Sequence, residues 1–531
     1  MEPGRRQFHR SGGAGVSAGA PDSVIRFRLH VPARTPALRW ITLILLLGAL
    51  LRIHAGAREA RFHPDEAYFA GFAMRAALNG SWLLAGDLDK PPLAIYLSAA
   101  SMSLFAAQTN AAGVLDFTAR QGEFAARLPG VFSGILLIAV IYRLAYALYA
   151  DRRVALTAAA LISLSPFAVG FSGSAFTDTP MLLAAALALW AAVRGRRLTS
   201  GIALALAVLC KFQAIYLLPL ILMMLWGRGH LESPRAAARL LVPLLGAFAL
   251  LALWDSLRTG SGVLSLAAAN NAPGRLIRSD EVIPRLIDWL NLSRGLFGAP
   301  TVLVLIAALL PTVSRFRREA RRRTALIDAL LLLYTVVYFG GHWLIAFNTY
   351  DRYLLPLLIP LTLLGARGAG AGLAWISRRL TLAEGGLLGL VILLSMLGSA
   401  WNASDGGMLF LDDQSSFARS SDWADAAAYI NAQPVATIIY DPWFGWELSY
   451  YLGAWSDKRR VYYPTPQALA AGALAEADQQ PRFFLAPQSL PHTLWLEALA
   501  DAGFTFDFAY SGTDIIIYRL IPPESSPEEG G

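Results

Sequence analysis

Charge is scarce in this chain, and cysteine scarcer still. Of 531 residues only 15% are Asp, Glu, Lys or Arg, against 56% hydrophobic. That ratio is too apolar for a soluble protein of this length, so most of the chain must face lipid or pack inside a membrane bundle. The one cysteine, Cys210, lies within an apolar run. An intrachain disulfide is therefore excluded, as is a cysteine-based zinc site. Acidic residues are thin in the first three-quarters: residues 1–401 carry 39 Lys+Arg and 20 Asp+Glu, net +19, whereas residues 402–531 carry 6 and 17, net −11. The arginines lie between apolar runs and not in one solvated patch. This argues against nucleic-acid binding and fits loops that orient membrane spans. The two halves show no clear repeat of the kind common in transporters. The C-terminal portion has no Gly-rich phosphate loop after its first strand-like run, which argues against a nucleotide site.

What is present is a series of long apolar runs. After a Gly- and Arg-rich stretch, 1–36, with no periodicity and the character of disorder, the first spans about 37–53. Others lie near 91–108, 128–149, 154–171, 178–193, 199–226, 238–254, 296–313, 325–347, 352–376 and 384–400. A helix crosses the hydrocarbon in about 20 residues, so the expected fold is a polytopic α-helical membrane protein of about 11–13 spans over 37–401. Lys211 interrupts the 199–226 run, which suits two short helices with the lysine at the turn. The basic loops 228–239 and 314–323, and Arg378-Arg379, belong on the cytoplasmic side by the positive-inside rule. The loop after the first span, residues 255–295, 348–353 and everything after 401 then face outward. Asp178 falls inside if every run between 91 and 171 crosses. It falls outside, with Lys211, if one of them is re-entrant or incomplete and 199–226 is a hairpin, and basic Arg194–Arg197 favours the second solution. From 402 to 520, strand-like runs (436–440, 460–463, 482–485, 504–510, 514–520) alternate with helical spacing (421–433, 444–452, 466–477, 491–502). That pattern predicts a small extracytoplasmic α/β domain with a largely parallel sheet, its last two strands suited to a hairpin. A Pro/Glu/Gly tail, 521–531, completes the chain.

Ionisable residues cluster where the apolar runs begin. Arg61-Phe-His-Pro-Asp-Glu-Ala-Tyr carries Asp65 and Glu66, and Asp89-Lys-Pro-Pro opens the next run. Acids and a lysine gathered at a membrane boundary mark a functional site by default; a solvated interfacial loop is the plainer reading. Adjacent carboxylates on a helix point in different directions, so one could act as base while the other binds a metal or orients the first. Asp89 and Lys90 also fit snorkelling at the interface. Thr177-Asp178-Thr-Pro reads equally well as a helix N-cap. A lysine within Leu-Cys-Lys211-Phe-Gln is costly in hydrocarbon and needs a polar cavity or a partner. Tyr350-Asp351-Arg352-Tyr353 offers an arginine suited to phosphate, or an interfacial aromatic belt. Arg127 is a weaker cation candidate, and His342 reads as a packed residue more readily than a catalytic one. Carboxylates and cations assembled from separate helices at one membrane face suit a substrate with a lipid tail and a phosphate head. The cations would stabilise the phosphate as leaving group, and a carboxylate would take the proton of an acceptor hydroxyl.

These motifs, in this order, resemble the GT-C glycosyltransferase superfamily, most closely the branch with protein O-mannosyltransferases and the lipid A aminoarabinose transferase. The resemblance covers about 38–400 and the plan of many spans followed by an outer domain. It implies an inverting hexosyl- or pentosyltransferase that moves a sugar from a polyprenyl-phosphate donor to a hydroxyl of a lipid, glycan or protein outside the membrane. By resemblance, Asp65 is the general base with Glu66 beside it, and Asp178 is the second acidic motif. Lys90, Lys211, Tyr350, Arg352 and Tyr353 lie near the donor phosphate, and Asp89 matches the neighbour that binds a divalent metal. Two departures weigh against a metal: Asp89 stands where a glutamate is expected, and 255–295 holds no histidine. A transporter or flippase of lipid-linked sugars is the alternative expectation, and a non-catalytic glycan-binding scaffold a third.

Overall fold

The computed structural model describes residues 36–231, 233–315, 322–376, 381–407, 422–476 and 480–523. The stretch before Pro36, most of the Arg-rich 314–323 loop, Arg378-Arg379 and the tail beyond Pro523 lie outside them. In chain order the bundle helices are α1 (Pro36–Ala57), α2 (Pro64–Asn79), α3 (Leu93–Phe105), α4 (Ala119–Tyr149), α5 (Arg152–Ser163), α6 (Pro166–Gly170), α7 (Asp178–Val193), α8 (Arg197–Cys210), α9 (Leu218–Gly227), α10 (Pro234–Leu257), α11 (Val263–Asn271), α12 (Val282–Leu292), α13 (Arg294–Phe297), α14 (Thr301–Arg315), α15 (Arg322–Leu344), α16 (Leu358–Ile376) and α17 (Leu382–Ser404). Six helical stretches among the described residues are long and apolar enough to cross a membrane. Two bent pairs, broken by 62° near Leu164 and by 94° near Gly298, raise this to eight, and four shorter apolar helices accompany them. Against the expected count of about 11–13 spans, six to eight stretches among the described residues are long and apolar enough, the remaining apolar helices being short.

The breaks have local causes. Pro166 begins α6, one residue after Ser165, whose hydroxyl caps it. The α5 carbonyls freed there, Ile162 and Ser163, accept from the buried Arg52 guanidinium at 2.9 and 3.0 Å, a cation placed at a helix C-terminus. The long 199–226 run is broken at Lys211, which is extended (φ −158, ψ 129) between α8 and a 3-10 turn over Phe212–Leu217. Elsewhere small residues let helices touch. A Cβ at Gly368 on α16 would lie 1.7 Å from the Ala307 carbonyl oxygen of α14.

A two-residue hairpin, β1 (Gln108–Thr109) with β2 (Leu115–Asp116), precedes α4. The C-terminal layer contains α18 (Asp422–Asn431), β3 (Ile438–Tyr440), α19 (Gly445–Tyr451), β4 (Arg459–Val461), α20 (Pro466–Ala475), β5 (Arg482–Pro487), α21 (Thr493–Asp501), β6 (Thr505–Ser511) and β7 (Ile515–Ile521). The sheet order is β4-β3-β5-β7-β6, parallel through β4, β3 and β5, with β7 antiparallel to β5 and paired to β6 as a hairpin. Alternate residues serve two cores, as strand geometry requires. Ile439, Phe483, Leu485 and Ile517 join the core continuous with the bundle, while Ile438, Tyr440, Phe484 and Tyr518 pack with α20 and α21.

The layer docks on the bundle through α19, which lies against α2. Tyr451 Oη accepts from the Phe62 amide at 2.9 Å and donates to the Glu123 carboxylate. Glu447 pairs with Arg61 at 3.2 Å, and Tyr450 donates to the Ala119 carbonyl of α4 at 3.3 Å.

Candidate active site

The site begins with the N-terminus of α2. Pro64 suits the first helical position because its missing N–H needs no partner there. His63 caps the helix by accepting from the Asp65 amide at 3.2 Å, and Glu66 returns to the His63 amide at 3.1 Å. This capping box fixes both acids. Glu66 Oε1 also takes the Ala175 amide at 2.9 Å and Arg127 Nε at 3.4 Å, and its side chain is wholly buried. Consecutive helical residues diverge by about 100°, so Glu66 turns into the bundle while Asp65 faces a recess. Glu66, expected as a catalytic acid beside the base, is thus buried on its own set of donors and lines neither cavity beside Asp89 and Lys90. Arg127, a weaker cation candidate from the sequence, holds Glu66 and the Ala60 carbonyl.

Asp65 meets Arg352, 287 positions later in the sequence, at 2.6 Å. The guanidinium lies 5.1 Å over Phe176 and 4.8 Å over Tyr350. Burial alone would raise the Asp65 carboxyl; the charges of Arg352, His63 and Lys90 more than reverse this and hold it below the ordinary carboxylate range. Asp178 is the first residue of α7; Thr177 holds the N-cap position and makes no side-chain cap hydrogen bond, so Asp178 is not the cap. Its Oδ1 takes Lys211 Nζ at 2.6 Å, and its buried Oδ2 has no hydrogen-bond partner among the described residues. Lys211 thus sits at the break between helices with a buried partner, as its cost in hydrocarbon requires. Lys90 pairs with Asp89 at 2.5 Å and lies within electrostatic reach of both Asp65 and Lys211. The helix break therefore puts Asp178 and Lys211 on the same face as Asp65.

A cavity of about 380 Å³ opens beside these pairs, lined by Asp89, Lys90, Lys211, Gln213 and Tyr353 and by apolar residues of α11. Tyr353 lies 5.6 Å beneath Lys211 Nζ, and its hydroxyl donates to Asn271 at 3.3 Å. His342 also lines the cavity, but its ring is packed against Tyr338 and Phe347 at 4.3 and 5.1 Å. Asp89 does not suit a metal. Lys90 already occupies its Oδ2, the Asn270 and Asn271 amides approach at 3.3 and 3.5 Å, and no group of three or more His, Cys, Asp or Glu among the described residues could hold an ion. Asn270 and Asn271 were not anticipated; an amide pair ending a short helix carries no motif. Nor was Trp446 of α19, whose ring lies 4.3 Å from Tyr68 and lines a small cavity with Asp65, Asp89, Lys90 and Asn270.

With this geometry, the solved structures decide the fold. Residues 89–254, under a third of the chain, match a family model described as dolichyl-phosphate-mannose-protein mannosyltransferase. ArnT from Cupriavidus metallidurans superposes with a TM-score of 0.64 at 16% identity, over 91% of this chain and 98% of that one. The chain has the GT-C glycosyltransferase fold. The same ArnT bound to undecaprenyl phosphate gives a TM-score of 0.62 at 16% identity over the same shares of both chains. A second GT-C protein, the Archaeoglobus fulgidus oligosaccharyltransferase, gives 0.52 at 15% identity over 90% of this chain and 72% of its own. No curated protein matches by sequence.

Proposed function

We propose that the protein is an inverting glycosyltransferase that moves a sugar from a polyprenyl-phosphate donor to an acceptor hydroxyl at the outer face of the membrane. The observation that carries this is the clustering of three acid–cation pairs, Asp65–Arg352, Asp178–Lys211 and Asp89–Lys90, beside two cavities that share Asp89 and Lys90. Without a substrate the charges compensate each other. A donor phosphate would draw Arg352, Lys211 and Lys90 toward it and release Asp65 from its partner. Asp65 then accepts the proton of the acceptor hydroxyl as that oxygen attacks the anomeric carbon. The bond from the anomeric carbon to the phosphate oxygen breaks, and polyprenyl phosphate leaves with its charge held by the three cations. No step passes through a metal.

The outward orientation rests on helix direction. α7 leaves the recess at Asp178 and ends at basic Arg194–Arg197; α9 descends from the Lys211 break and ends beside Arg228. The arginine-rich ends are thus the far ends of helices that begin at the acid–cation pairs, which by the positive-inside rule supports an outward recess. Purified protein given a radiolabelled polyprenyl-phosphate sugar and an envelope extract as acceptor should form a new glycosidic bond. Asp65→Asn should keep donor binding and lose turnover by roughly 10²–10⁴-fold. Full activity in that variant would end the assignment, and donor flipping without bond formation would favour transport.

A further inference from the structure

Trp446 stands at the junction of two cavities. On one side is the small cavity shared with Asp65. On the other is a cavity of about 270 Å³ lined by Tyr68, Phe72, Arg75, Asp87 and Arg460. It continues into a third, about 280 Å³, which shares Arg75 and Arg460 and adds Lys458. The three follow one another along the seam between α2 and the C-terminal layer, outward from the proposed base.

The two arginines, Arg75 and Arg460, line both outer cavities. Among the described residues neither forms an ion pair. Arg75 is half-buried, with its guanidinium 4.6 Å over Phe72. Arg460 donates to the Gly445 carbonyl at 2.9 Å and to Ser449 Oγ at 3.4 Å. Burial and the neighbouring Arg460 charge both lower the Arg75 guanidinium from its usual value, so the pair repels. Of the acids nearby, Asp87 accepts the Ser261 amide at 3.0 Å, and Asp441 takes the Trp443 and Phe444 amides and attracts Arg460 without a direct ion pair. Two arginines of like charge left facing one cavity offer planar forks that match a phosphate or carboxylate. Between them and Asp65 lie the indole of Trp446, half of it exposed, and the Tyr68 ring. Flat aromatic faces with polar edges are suited to a sugar ring.

We propose that the acceptor is an anionic glycan. Its phosphate or carboxylate lies between Arg75 and Arg460, one of its sugar rings rests on Trp446, and its hydroxyl thereby reaches Asp65. The C-terminal layer is then the part of the molecule that selects the acceptor. This rests on the transferase reading given above, and the test separates the two. Full-length protein in detergent is first saturated with undecaprenyl phosphate to fill the donor cations. It is then titrated by calorimetry with trigalacturonate, glucose 6-phosphate and neutral maltotriose. The acidic probes should bind and maltotriose should not. Arg75→Gln and Arg460→Gln should each weaken the acidic probes by about tenfold, while undecaprenyl phosphate binding stays unchanged. Arg75→Lys should recover part of the loss. Trp446→Ala should weaken both acidic saccharides but leave inorganic phosphate binding alone, a pattern a merely misfolded variant would not give. If donor binding is normal but acidic and neutral probes bind alike, or if the arginine variants bind the acidic probes as well as the parent does, this inference fails and the transferase reading stands. If undecaprenyl phosphate itself does not bind, the transferase reading fails first.

Discussion

At the scale of single residues, the proposed mechanism depends on charges that neutralise one another until substrate arrives. Asp65 shows this best. Its surroundings, dominated by burial, would raise its carboxyl, but Arg352 and His63 overturn that and hold it low. A base held low by a cation is weak until that cation is drawn away, so in the proposed mechanism donor binding would gate proton abstraction. In the free enzyme the depressed carboxyl should keep the acid limb of kcat/KM below the ordinary carboxylate range. Arg352→Gln removes the strongest opposing charge and leaves burial to act. The acid limb of its residual activity should therefore move to higher pH, and an unmoved limb would mean Arg352 does not set the Asp65 proton affinity. The contrast with Glu66 is instructive. Two adjacent acids read alike in a sequence, yet the helix sends one to the recess and buries the other on three donors.

At the scale of elements, close packing and buried charge set where the bundle tolerates change. Gly368 places α16 directly on the α14 backbone, so Gly368→Ala must push the helices apart. Overpacking of this kind costs about 1–3 kcal/mol, and the variant should melt earlier with its donor affinity little altered. The α19 dock makes a prediction of opposite character. Burial raises Glu447 from 4.5 to about 7, against the pull of Arg61, and raises Asp441 nearby to about 6. A carboxyl that keeps its proton when folded but loses it when unfolded contributes stability below the unfolded value. That contribution disappears as pH rises through the folded one. For Glu447 the span amounts to about 3 kcal/mol between pH 4.5 and 7. The melting temperature of the full chain should fall across that window, and Glu447→Gln should flatten the fall in part, leaving the Asp441 share. A parent and variant with parallel profiles would show that the Glu447 proton takes no part in docking.

For the whole molecule, what the sequence made legible was periodicity and local chemistry. The apolar runs, the break at Lys211, the five strands and the terminal hairpin all follow from patterns a few residues long. Pairings across hundreds of residues did not show. Nothing near Asp65 names Arg352, and nothing near Asp178 decides between a cap and Lys211, because those choices are made by how the helices stack. Trp446 escaped notice because one aromatic on an amphipathic helix looks like core. The proposed orientation combines both scales: the acid–cation pairs stand toward one end of the bundle, and arginine-rich helix ends toward the other. Cysteine labelling can read this directly, since the single native thiol, Cys210, is buried. With the recess outward, Leu494→Cys, on an exposed position of α21, should react with a membrane-impermeant maleimide in intact cells. Arg228→Cys, at the foot of α9, should react only after the membrane is opened. The reverse pattern would turn the recess and the C-terminal layer toward the cytoplasm, and the acceptor would then have to be a molecule met there.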